Sequence, residues 1–256
     1  MRNQCFLLFG LIVTLGCTPS QQDDPGRPAE EPAVNAEVHF DLARIYLPHG
    51  SNRENPAHLL APIIVHQSIE EGKAGDPPWL SPRGEKPQVH LLRSEIKINE
   101  ISCPQFIYSW EYGTGTPTPA SQRILRMTLD SRGYPMIFEL YTGEGRLAAV
   151  YVSRSLEEAA AEEHGPPLAG RNFSVEAARG PGLSGIVDEG PVPMGPLAYF
   201  DSPGRRNVAL TCRCSPSKVT RTDGSHSYEL VETPADSLPP ALALMNLDYL
   251  RLPGEF

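Results

Sequence analysis

Proline restricts this chain more than any other feature. It supplies 27 of the 256 residues, roughly twice the usual share, and the prolines are spread along the length. Each one fixes φ, removes an amide donor and disrupts a helix interior. A chain so punctuated folds into short strands, edge strands and loops rather than long helices. The remaining composition is that of a globular protein, 40% apolar and 21% charged, and the length can bury a sizeable core. The formal charge of −9 repels phosphate backbones and anionic lipid headgroups. Nucleic-acid binding and a basic membrane-binding patch are therefore poor fits.

Residue patterning agrees with the prolines. Residues 38–47 and 59–66 are apolar enough for buried strands, although a short helix fits either run. Residues 95–102 begin to alternate, with Ile96 and Ile98 on one face. Cys103-Pro104 interrupts, which predicts a bulge or a break at a sheet edge, and Phe106, Tyr108, Trp110 and Tyr112 then resume a period of two. Leu125, Met127 and Leu129, the turn Asp130-Ser131-Arg132-Gly133, and Met136, Phe138 and Leu140 spell a hairpin. A second turn at 142–145 leads to a strand over 147–152. Ser155 followed three residues later by Glu158 has the spacing of a helix capping box, and Gly165-Pro166-Pro167 ends that helix. Its run of acids reads as a solvated face. Residues 177–195 read as loop. A further hairpin is expected over 197–200 and 207–214, a strand over 228–231 and a short helix over 238–250. The fold class predicted is α+β, a single domain over 38–256 dominated by antiparallel strands and hairpins with one or two short helices.

The first 16 residues have a different character. One positive charge at Arg2 precedes the 11-residue apolar run 5–15, too short to cross a bilayer as a helix but suited to a signal peptide. The run ends Thr14-Leu15-Gly16-Cys17, which resembles the lipobox of bacterial lipoproteins. Thr14 and Leu15 depart from the aliphatic and small residues usual at those two positions. The resemblance implies cleavage before Cys17, acylation of that thiol with chains of the palmitate type, and anchoring to a membrane. Residues 17–37 contain almost nothing apolar to bury and read as a disordered tether. The implied location is the cell envelope, facing the periplasm or the exterior, with the lipid anchor as the membrane partner.

Among the candidate chemical groups, Cys103, Cys212 and Cys214 are the most pointed. Three readings compete: small buried core residues, one disulfide joining Cys103 to Cys212 or Cys214, or a soft metal held by thiolates. On an extended strand, residues two apart lie about 6.5–7 Å apart at Cα, near the upper limit for a disulfide, so a bond between Cys212 and Cys214 is disfavoured. The seven histidines form no metal-binding array. Residues 181–185, Pro-Gly-Leu-Ser-Gly, miss the nucleophile-elbow spacing by one position and read as a loop. Asn172-Phe173-Ser174 fits a glycosylation sequon that carries little weight behind a bacterial leader. The aromatic stripe at 106–112 reads as one face of the core, the alternative being a ligand groove that complete burial of Tyr108 and Trp110 would exclude. No cofactor, metal or catalytic residue is indicated. The sequence thus points to a non-enzymatic lipoprotein, a binding or envelope-structural module. The alternative is an extracytoplasmic hydrolase, or a thiol or metal protein built on Cys103, Cys212 and Cys214.

Overall fold

A computed structural model describes residues 38–50, 55–68, 87–98, 101–113, 121–167, 183–201 and 206–233. The leader, Cys17, the tether, the sequon at 172–174 and the helix expected over 238–250 lie outside the described residues.

The described strands are β1 (Phe40–Pro48), β2 (Ile63–Gln67), β3 (Gln88–Ile98), β4 (Ile101–Glu111), β5 (Gln122–Leu129), β6 (Pro135–Thr142), β7 (Leu147–Ser153), β8 (Leu183–Val187), β9 (Leu197–Phe200), β10 (Asn207–Thr211) and β11 (Val219–Glu232). They form one sheet in the order β10-β9-β2-β1-β11-β3-β4-β5-β6-β7-β8. The sheet curls until β10, at one edge, lies beside β7 and β8 at the other, and the Tyr151 hydroxyl donates to Asn207 Oδ1 across the seam at 2.7 Å. The result is a nearly closed, barrel-like wall. The α+β expectation is therefore wrong. The two helices, α1 (Pro56–Leu60) and α2 (Arg154–His164), are too small to form a layer, and the sheet buries its inner face against itself. Antiparallel pairing does not govern throughout either. β1–β11, β11–β3, β2–β9 and β7–β8 are parallel, and the last is made possible by α2 crossing between the two strands.

Local chemistry explains most elements. Asn55 caps α1 by accepting from Ala57 N at 3.0 Å, with Pro56 at the first helical position. In the β5–β6 hairpin, Asp130 Oδ1 accepts from the amides of Arg132 and Tyr134, both at 2.8 Å, and Gly133 takes the left-handed φ of 85°. Leu125, Met127, Leu129, Phe138 and Leu140 point inward as patterned. A register shift between Thr128 and Leu129 sends Met136 outward, to pack near Cys103 and Val152.

Several boundaries fall elsewhere than expected. β3 and β4 form a continuous hairpin whose strands end at Ile98 and resume at Ile101, so Cys103-Pro104 lies within β4. Proline is tolerated there because pairing with β5 begins only at Gln105, leaving Pro104 with β3 as its neighbour. Helix α2 starts two residues earlier than the Ser155 reading: Ser153 is the cap, accepting from Leu156 N at 3.3 Å, and the Glu189 carboxylate takes the Ser155 amide and hydroxyl. Residues 183–187, expected as loop, form β8.

The barrel interior is filled. Tyr46, Tyr108, Trp110, Phe200 and Tyr228 are each at most 2% exposed and belong to one cluster with inward residues from all eleven strands and α1. Helix α1 closes over part of this core. Tyr108 donates its hydroxyl to Ala57 O and Tyr228 to Pro62 O, each at 2.8 Å, while Arg213 donates to Ala61 O. Gly195 passes so close that a Cβ there would sit 2.2 Å from Leu60 O.

Candidate functional site

The aromatic stripe is core. Tyr108 is 0% and Trp110 1% exposed, with Trp110 edge-on to Phe200 at 5.7 Å, so no groove runs along it. Burial keeps the Tyr108 and Tyr228 phenols neutral, raising both well above the ordinary tyrosine range.

The cysteines do not converge as a set of three. Cys103 is not disulfide-bonded and is buried among Ile96, Ile101 and Met136. Cys212 and Cys214 are joined to each other in a disulfide, the pairing that strand geometry disfavours. The physical reason is that the strand has already ended. β10 stops at Thr211, and residues 212–215 form a turn in which Ser215 N donates to Cys212 O at 3.1 Å. The turn draws the two Cα atoms to 5.1 Å, comfortably within disulfide range. It also sets the two side chains in unequal surroundings, burying Cys212 and exposing Cys214. The disulfide expected among these thiols thus forms between Cys212 and Cys214 rather than with Cys103, because a turn without glycine ends the strand.

Three features surround the pair. The Cys214 amide donates to Cys212 Sγ at 3.0 Å. Arg213, between them, turns its guanidinium inward to Ala61 O, near the Tyr108 and Tyr228 hydroxyls. It has no carboxylate partner among the described residues, and burial lowers its pKa below the ordinary arginine value. Finally, Cys212 forms part of the wall of a shallow surface cleft, together with Tyr134, Phe138, Val187, Val192, Pro193 and Met194. Asp188 and Glu189 stand at its rim, engaged by Arg154 and Ser155.

The other charged groups are built into the wall. Arg126 makes a two-pronged contact with Glu139 (2.6 and 2.5 Å) and donates to the Tyr141 hydroxyl. Arg44 and Ser68 both bind the Asp223 carboxylate, tying β1 and the end of β2 to β11. Among the described residues, no group of three His, Cys, Asp or Glu side chains is placed to hold a metal. The residues around Ser184 form a strand parallel to β7 rather than the strand-to-helix turn of a nucleophile elbow. Among the described residues no helix is long and apolar enough to cross a membrane. Comparison with protein-family models, with characterised proteins and with solved structures finds no match to this chain.

Proposed function

We propose that the protein is an exported lipoprotein, anchored through Cys17 and acting through the outer surface of its barrel as a binding or structural module of the cell envelope. The leader, the lipobox-like residues 14–17 and the polar stretch after them support the anchor. The observation that carries the mode of action is the filled interior. Side chains from all eleven strands occupy the space where a carrier barrel holds its passenger, which leaves the outer surface and its shallow cleft for recognition.

One experiment tests both parts. Wild type and Cys17→Ser are fractionated from cells, and the intact masses of the recovered chains are measured under native conditions. The expected wild type is in the membrane fraction, with the mass of the chain from Cys17 plus acyl groups and nothing else. Cys17→Ser is expected to lose both the acyl groups and the membrane association. Unchanged fractionation of the variant refutes the anchor, and a retained small molecule beyond the acyl groups refutes the surface-acting barrel.

A further inference from the structure

The only disulfide among the described residues joins residues two apart in sequence. A structural cross-link gains most by closing a long loop. This one spans a single residue, in a turn already closed by the Ser215–Cys212 backbone bond. Cys103, whose pairing with either thiol would have stapled β4 to the end of β10, is not bonded to either and lies in a separate cluster. Tethering distant segments is therefore not what this bond does.

Its surroundings suit a different task. The two sulfurs are unequal, since Cys214 is exposed whereas Cys212 is 7% exposed. An incoming thiolate can reach Cys214 Sγ, and the group it displaces is then Cys212. The displaced sulfur already accepts the Cys214 backbone N–H at 3.0 Å. A hydrogen-bond donor at a sulfur favours its thiolate, and a stabilised thiolate leaves faster.

We propose that Cys212–Cys214 is a thiol–disulfide exchange centre that takes cysteine thiols as substrate, entered at Cys214 with Cys212 as the leaving group. In the first step the substrate thiolate bonds to Cys214 Sγ, the Cys212–Cys214 bond breaks, and its electron pair departs on Cys212. A second substrate thiolate then attacks the substrate sulfur of the mixed disulfide, forming the substrate disulfide and releasing Cys214 as thiolate. Two thiols are oxidised, one disulfide is reduced by two electrons, and the two thiol protons end on Cys212 and Cys214. The reverse sequence passes a disulfide to a substrate. The turn at 212–215, held by its backbone bond, keeps the two sulfurs adjacent in either state.

The probe is glutathione. The folded full-length protein is equilibrated in buffers of graded reduced-to-oxidised glutathione ratio, alkylated, and mapped by peptide mass. Cys212 and Cys214 are expected to open together while the fold persists and Cys103 stays unmodified. A bond that opens only after denaturant is added overturns the proposal. The point of entry is tested with two variants under oxidised glutathione. Cys212→Ser is expected to acquire a glutathione adduct on Cys214 at least about tenfold faster than Cys214→Ser acquires one on Cys212. Equal rates overturn entry at Cys214, and the wild-type measurement stands whether or not either variant folds.

Discussion

Gly195→Ala is a substitution for which local preference and packing predict opposite signs. Gly195 does not occupy the left-handed region, so alanine should stabilise by about 0.4–1 kcal/mol through the unfolded chain alone. The fold predicts the reverse. An added Cβ lies 2.2 Å from Leu60 O, 2.5 Å from Leu60 C and 2.6 Å from Ala61 O, all backbone atoms that cannot swing aside. Restoring a carbon–oxygen separation of about 3.3 Å requires α1 to withdraw by about 1 Å. That movement pulls the carbonyls of Ala57, Ala61 and Pro62 from Tyr108, Arg213 and Tyr228. Overpacking alone costs about 1–3 kcal/mol, and each weakened bond adds up to about 1 kcal/mol. The expected loss is about 3–4 kcal/mol, which in a domain of this size lowers the melting temperature by roughly 10 °C. Denaturant and thermal unfolding measure it, with Gly133→Ala as control. Gly133 has φ 85° and open space around it, so alanine there costs only about 1–2 kcal/mol of backbone strain. A Gly195→Ala protein as stable as wild type refutes the placement of α1 against residues 195–196.

Two further outcomes are expected. Tyr108, Tyr151 and Tyr228 have pKa values raised chiefly by burial, so the stability tied to their neutral phenols is fully present below the unfolded value of about 10 and is lost as pH rises beyond it. The melting temperature should fall above about pH 10, with these phenols ionising only as the protein unfolds; smooth ionisation of every tyrosine in the folded state contradicts it. At the start of α2, Ser153→Ala is expected to cost about 1 kcal/mol, and Glu158→Ala less than about 0.5 kcal/mol, in equilibrium unfolding. Equal losses would restore the helix start at Ser155.

What could be read from the residues was what adjacent residues determine. The β5–β6 hairpin is closed by its own Asp130 and Gly133, the α2 stop by Gly165, and the inward aromatics of β4 by strict alternation. What could not be read depends on distant partners. β8 is short and glycine-containing, and becomes a strand by lying parallel to β7 after a crossover that no local pattern announces. Strand β11 runs 14 residues, yet its first half, Val219 to Ser225, carries little apolar patterning and is held by register with β1. The candidate site shared this division. The three cysteines were visible, but their pairing turned on a strand ending at Thr211, a tertiary outcome of where β9 stops offering partners.

The position of β11 has a temporal consequence. The final described strand is wedged in the sheet between β1 and β3, two of the earliest. Until translation has delivered residues 219–232, those two strands have a vacant lane between them, and the wall stays open however well its hairpins have formed. Such long-range pairing slows folding and postpones it to the completed polypeptide. If the chain is exported as proposed, this delay is useful, because a translocation channel threads slack polypeptide and a wall sealed too soon would jam it.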